Sequence, residues 1–348
     1  MHVQARRVFR LSLTMALSLA GAYALKLPLP YLAPIFALLL TATPAPPMSP
    51  KKLLGLVLVV LVTLGVGLLL IPLLIHYPVS AVLIVAVGLY FSAYLTVNRG
   101  KAALGTLLTI GFTMISAAGT VDYSVALIVI KALVVGIAVA IACHWFVYPW
   151  FPEDAAPPED GTAAVGAVQS NWIALRSTLI VLPAYLLVLI NPLMYLPIIL
   201  KSVSLSQQGS VIEARHAGRE LLGSTFLAGL FAILFWFMLD LVTNLWMFFW
   251  WMLLLGVYFA SKSYQVVPGR FSASFWQNVV ITMLLLLGPA VQDSASGKDV
   301  YAAFAVRMGL FVAVTLYAWL AIVVLEQWRN RHICRHSRKL TTTEPSRC

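Results

Sequence analysis

The sequence predicts an all-α integral membrane protein of about twelve transmembrane helices, arranged as two parallel six-helix repeats. Three observations carry this. The 348 residues are 61% hydrophobic and only 10% charged, whereas soluble domains are about half apolar and about a quarter charged. The apolar residues fall in long runs: twelve helices of about 20 residues use roughly 240 positions and leave about a hundred for loops and tails. Finally, patterns in the first half recur in the second. Together these features exclude a disordered chain, a secreted disulfide scaffold and a basic globular nucleic-acid binder. Cys143 lies in an apolar run, and Cys334 and Cys348 lie in the tail, so no disulfide framework is present. The first apolar run passes into further runs with no cleavage-site pattern, unlike a signal peptide.

Taken in order, the expected spans of the first half are 10–25, 28–43, 53–75, 79–97, 102–118 and 122–148. Those of the second are 171–190, 192–206, 220–242, 245–260, 272–290 and 300–325. The chain thus divides into a first repeat (1–148), an acidic linker (149–169), a second repeat (170–326) and a basic tail (327–348). Spans 28–43 and 192–206 are short for a hydrocarbon core of about 30 Å. Each follows a Pro-containing break, which suits a broken or re-entrant element whose backbone is satisfied by surrounding protein.

The basic residues set the orientation. Arg6, Arg7 and Arg10 precede the first span, Lys51 and Lys52 follow the second, and Arg99 and Lys101 follow the fourth. Arg215 and Arg219, Lys262 and Arg270, and the tail's five arginines with Lys339 continue the pattern, so 17 of the 23 basic residues fall on one side. The opposite loops hold only Lys26 and Lys298. Positive-inside asymmetry then places both termini in the cytoplasm, and the formal charge of +11 is a topology signal. The linker breaks the pattern with Glu153, Asp154, Glu159 and Asp160.

The repeats are collinear. Leu53-Leu54-Gly55 recurs as Leu221-Leu222-Gly223, and Gly88-Leu89-Tyr90-Phe91 as Gly256-Val257-Tyr258-Phe259. Tyr31-Leu32-Ala33-Pro34-Ile35 is similar to Met194-Tyr195-Leu196-Pro197-Ile198, and Thr113-Met114 to Thr282-Met283. Lys131 corresponds to Arg307, and Arg10 to Arg176. Six spans per repeat give both halves one orientation, an arrangement that holds substrate near the midplane between repeats in known transporters.

Four basic residues fall inside spans: Lys131, Arg176, Lys201 and Arg307. A charge at the bilayer centre costs about 2.5–3.5 kcal/mol on insertion scales, so such residues mark function by default. They suit an anionic substrate; the competing reading is a structural pair with a buried carboxylate. Asp122, Asp240 and Asp299 lie near span ends and are candidates for proton coupling. For Asp122 and Asp299 the plainer role is a negative charge at a helix N-terminus. Asp240 is flanked by Trp236, Phe237 and Trp246 and is the better proton carrier. The aromatics of the ninth and tenth spans form either a stacking site or an interfacial belt. Tyr90 and Tyr258 recur in both repeats and are candidate substrate contacts. The tail segment His332-Ile333-Cys334-Arg335-His336 reads as solvated chain or as contact with anionic lipid. No enzyme signature, cofactor motif or metal motif is present.

Arg10 opening the first span, Tyr31 to Pro34 in the second, and a basic residue in the last span of each repeat resemble the fusaric acid resistance (FUSC-like) superfamily. The resemblance extends over about residues 5–326 and is greatest to a compact bacterial branch of unknown function. It implies efflux of organic anions, aromatic carboxylates above all, across a bacterial inner membrane, with a periplasmic membrane-fusion adaptor as partner. Efflux members often carry a large cytoplasmic domain, for which the linker and tail here are too short. Proton motive force is the expected drive. An uncoupled anion channel is the rival, and a lipid-modifying membrane enzyme is a third reading that no motif supports. The sequence leaves a homo-oligomer open.

Overall fold

The computed structural model describes residues 3–42, 46–99, 102–153, 167–211, 214–297 and 299–340. The first half contains α1 (Val3–Ala24), α2 (Leu32–Thr41), α3 (Pro50–His76), α4 (Pro78–Arg99), α5 (Ala102–Ile110), a π-helical turn (Gly111–Ile115), α6 (Ser116–Gly119) and α7 (Tyr123–Val147), closed by a 3-10 turn (Tyr148–Trp150). The second contains α8 (Ala167–Ile190), α9 (Pro192–Val211), α10 (Ala214–Leu241), α11 (Leu245–Ser263), α12 (Ala273–Ala295) and α13 (Val300–Leu340). The described residues form no strand. A helix satisfies its backbone groups within itself, which is what hydrocarbon demands.

Among the described residues, eight helical segments are long and apolar enough to cross a membrane: Lys51–His76, Pro78–Asn98, Tyr123–Trp150, Ser170–Ile190, Gly218–Leu241, Leu245–Ser263, Ala273–Ala295 and Val300–Arg329. The chain is a multi-pass membrane protein. Four expected spans fall short of that measure for physical reasons. α1 carries Arg6, Arg7 and Arg10 in its first turns. α2 has ten residues, about 15 Å of helix. The segment Gly105–Gly119 is interrupted by the π turn, and the apolar part of α9 is only Met194–Ser206. Helix starts follow local chemistry. Pro50 occupies the first turn of α3 after Ser49, where its missing N–H costs nothing. Asn244 and Ser272 cap α11 and α12 through Trp246 N and Phe275 N.

Helix partners recur between the halves. α1 packs along α11, and α4 along α8. α1 meets α2 as α8 meets α9. α3 lies on the π turn as α10 lies on α12, and α2 on α7 as α9 on α13. The exposed apolar side chains, such as Leu54, Leu58 and Leu61 of α3 and Phe226 and Leu230 of α10, face outward, as lipid contact requires. α12 is the opposite case: every residue from Asn278 to Ala290 is buried. α2 and most of Gly105–Gly119 are likewise enclosed by protein.

The chain leaving α7 is tied back onto α1. Arg7 Nε donates to Glu153 Oε1 at 2.6 Å and Arg10 Nη2 to Oε2 at 2.7 Å. Arg10 Nη1 also reaches the Phe151 carbonyl, and Arg6 Nη1 the Pro152 carbonyl. Arg10 is 1% exposed. The acidic linker therefore begins as a clamp on α1, where the sequence suggested only a polar spacer. Its residues 154–166, with Asp154, Glu159 and Asp160, lie outside the described residues, as do 341–348 and the side chains of His332, Cys334 and His336. The second half repeats the device in weaker form, with Arg176 at 3.8 Å from Glu326.

Burial works to raise the Glu153 carboxyl, but the hydrogen bonds and charges of Arg7 and Arg10 outweigh it and hold it below its ordinary value. A lowered carboxylate contributes stability above the unfolded value of about 4.3, lost as pH falls through the folded value. Glu153→Ala strands the buried Arg10 and is expected to cost about 3 kcal/mol. Glu326→Ala, at a longer and wetter pair, is expected to cost under about 1 kcal/mol. Thermal unfolding in detergent measures both, and the acid-dependent loss contributed by Glu153 disappears in Glu153→Ala.

Candidate functional site

Lys201 lies nine residues into α9, about 14 Å along its axis, and is fully buried. Its Nζ donates to Thr282 Oγ1 at 2.8 Å and to Asn278 Oδ1 at 3.4 Å, both on α12. Asn278 and Thr282 stand one turn apart on one face of α12, as Lys201 and Ser204 do on α9. Ser204 Oγ donates to Asn278 Oδ1 at 3.0 Å, and Asn278 Nδ2 donates to Ser224 Oγ of α10 at 2.6 Å. Three helices thus converge on one polar knot inside an apolar bundle. Among the described residues, Lys201 makes no ion pair. One hydroxyl and one amide oxygen accept from the ammonium, yet they leave its charge uncompensated. Such a place favours an anion. The knot is closed to solvent in this conformation, so access requires a helix to move. Pro197 in α9 and Pro289 in α12 lie beside it and weaken the helical ladders there.

α12 carries a second polar feature near its other end. Asp293 Oδ2 pairs with Arg307 Nη2 of α13 at 2.6 Å, with side chains 11% and 15% exposed. Arg307 Nη1 is buried without a hydrogen-bond partner. Tyr31 is within electrostatic reach of Arg307, and its ring lies flat over Gly288, where a Cβ would come within 2.2 Å of Tyr31 Cδ1. On another face of this end of α12, a cavity of about 350 Å³ is lined by Tyr23, Trp236, Asp240, Asn244, Phe248 and Ser294, among others. The Tyr23 and Phe248 rings meet edge to face, 4.9 Å apart, and the Tyr23 hydroxyl has no partner. From Thr282 to Asp293 is eleven residues, about 16 Å of helix. One buried helix thus connects the lysine knot to the arginine pair.

The residues expected from sequence are dispersed. Lys131 stands on the exposed side of α7 and is not brought to Arg307, although the two positions correspond in sequence. Arg176 is held by Glu326 near the start of α8. Tyr90 stacks on Tyr94, 6.5 Å between centroids, while Tyr258 is 43% exposed against Phe231 and Trp276; neither reaches the knot or the cavity. Asp122 and Asp299 are helix caps: Asp122 accepts from Ser124 N, and Asp299 from Tyr301 N and Ala302 N. The bonds from Ser124 hold the exposed Asp122 carboxyl below its ordinary value. Asp240 does line the cavity. Of the aromatics, Trp236 and Phe248 line it, whereas Trp246 and Trp250 are outward-facing. Sequence reasoning missed Asn278, Thr282, Asp293 and Tyr23. The available signal was the i, i+4 pair Asn278 and Thr282 inside an otherwise apolar run, continued by Asp293 on the same helix.

A family model described as a protein of unknown function (DUF2955) matches residues 7–147, the stretch that holds α1 to α7. No curated protein matches the chain, and no solved structure does. The knot and the Arg307–Asp293 pair both lie outside the matched stretch.

Gly288→Ala forces a methyl into the Tyr31 ring and is expected to cost about 1–3 kcal/mol, as overpacking does. In a Tyr31→Gly background, which also removes the Tyr31 Cβ that would lie 2.6 Å from the new methyl, the same change is expected to cost nearly nothing. Thermal unfolding of the two single variants and the double variant measures the coupling.

Proposed function

We propose that this chain is an efflux transporter of organic anions, aromatic carboxylates above all, in a bacterial inner membrane, with Lys201 as its anion anchor. The observation that carries the proposal is the fully buried ammonium of Lys201, bonded to Thr282 and Asn278 with no acid against it. A resident counter-ion would make the lysine structural. Its absence among the described residues leaves a charge that a bound carboxylate neutralises.

The architecture that supports this reading is a twelve-crossing bundle of two parallel repeats with both termini in the cytoplasm. Its supports are the recurrence of helix partners between the halves, the paired clamps Arg10–Glu153 and Arg176–Glu326, and the one-sided basic residues. Under this reading the anion enters from the basic end, is held at Lys201, and leaves along α12 past Arg307 towards the cavity. The resemblance to the FUSC-like superfamily points to the same substrate class, to drive by the proton gradient, and to a periplasmic adaptor as partner.

Labelled 4-hydroxybenzoate in inverted vesicles provides the test. Wild type accumulates the label when a proton gradient is imposed, and a protonophore abolishes accumulation; equilibration that ignores the gradient would make the chain a channel. Lys201→Met removes flux and leaves thermal stability equal or higher, because an apolar residue relieves an uncompensated buried charge, by about 1 kcal/mol or more. Lys131→Ala, at an exposed position, keeps wild-type flux. Full flux in Lys201→Met would sink the assignment.

A further inference from the structure

We infer that protonation of Asp293 gates anion binding in this protein, and that it works by lending Arg307 to the transported anion; the inference rests on the transport reading above. Three features of the site point there. Asp293 is buried and held by a single group, Arg307 Nη2 at 2.6 Å. Arg307 Nη1 is buried with no acceptor, and Asp293 Oδ2 faces Nη2 without making a hydrogen bond, so Asp293 does not fill a guanidinium fork built for two parallel bonds to a carboxylate. The Asp293 side chain keeps 11% of its surface exposed, which gives protons access to the carboxylate.

The exchange conserves charge at the site. In the paired state the guanidinium faces the Asp293 carboxylate. A proton from water binds an Asp293 carboxylate oxygen, the Arg307–Asp293 ion pair breaks, and the substrate carboxylate takes both Nη donors. One carboxylate has replaced another against Arg307, and one proton has been taken up for each anion held. When the anion leaves, Asp293 releases that proton and the pair reforms. A lysine in place of Arg307 would offer a point charge without the second parallel bond. The neighbouring elements carry few competing groups. Asp299 and Tyr301 precede or open α13, Asp240 ends α10, Tyr31 precedes α2 and Tyr195 opens α9; α11 brings no titratable side chain to this end. Asp299 is engaged in capping α13, and Asp240 is exposed at the cavity. Of these groups only Arg307 forms an ion pair with Asp293.

The test is binding of benzoate to the full chain in lipid nanodiscs, by calorimetry over a pH series and in buffers of different ionisation enthalpy. Wild type is expected to take up one proton per benzoate, with affinity for the ionised form rising about tenfold per pH unit of acidification. Asp293→Asn binds at the acid-limit affinity at every pH and takes up no proton. Arg307→Met loses the proton-linked binding. Should Asp293→Asn fail to fold, Asp293→Glu is expected to keep one proton per anion with the transition displaced in pH. Proton uptake that persists in Asp293→Asn or in Arg307→Met, or that vanishes in Asp293→Glu, overturns the inference. If wild-type binding ignores pH while gradient-driven flux persists, the inference falls and the transport reading stands. If wild type neither binds benzoate nor moves 4-hydroxybenzoate, both fall.

Discussion

Moving an arginine or lysine out of water costs several kcal/mol, and this chain does so at Arg10, Arg176, Lys201 and Arg307. Three of the four are answered by a carboxylate: Glu153, Glu326 and Asp293. Each of those acids lies in a separate segment from its base, so each pair also closes the fold. Glu153 draws the chain after α7 onto α1, Glu326 draws α13 onto α8, and Asp293 joins α12 to α13. The remaining cation of the apolar spans, Lys131, escapes the cost by standing on the exposed side of α7, where a long side chain can reach towards the interface. Lys201 alone is buried against neutral groups, and that exception singles it out.

The second constraint is the backbone. A helix with no lipid face must be enclosed on all sides, and α12 meets this through α9, α10, α11 and α13. Close approach needs small residues. Gly67 of α3 and Gly111 of the π turn meet nearly backbone to backbone, each where a Cβ would fall within 2.5 Å of a carbonyl oxygen. Gly288 does the same service for Tyr31. Ser116 Oγ, just after the π turn, donates to the Phe112 carbonyl within it and meets the Tyr185 hydroxyl of α8, 3.0 Å away, so this irregular stretch is satisfied by protein rather than by lipid.

The eight long spans were legible because apolar runs of that length have no other use in a chain so poor in charge. What escaped was rotational and tertiary. Lys131 and Arg307 correspond along the chain, but α7 presents Lys131 outward while Arg307 points to Asp293: correspondence in sequence fixes depth and leaves the face of the helix open, since each residue turns it by about 100°. Asp293 was overlooked because the apolar run of its helix ends near residue 290, whereas the helix continues to Ala295. Glu153 looked like part of a solvated acidic spacer, because its partners lie 143 and 146 residues away. Lys201 was visible as a charge in a span, but the neutrality of its surroundings depends on α10 and α12.

Under the two-repeat reading, the difference between the halves carries the argument furthest. The offset of the Tyr31 to Ile35 motif places Leu38 where the second half has Lys201, and the offset of Thr113 and Thr282 places Thr109 where it has Asn278. In the first half these positions are self-sufficient. Leu38 needs no partner, Thr109 bonds the Gly105 carbonyl and Ser92, and Thr113 bonds the Thr109 carbonyl. No donor there is left to be answered by a guest. Duplication supplies the frame twice, yet the uncompensated ammonium and the buried Asp293–Arg307 exchange stand along α12 alone. Under the transport reading a single pathway on one side of the bundle follows, walled by α9, α10, α11 and α13 around α12.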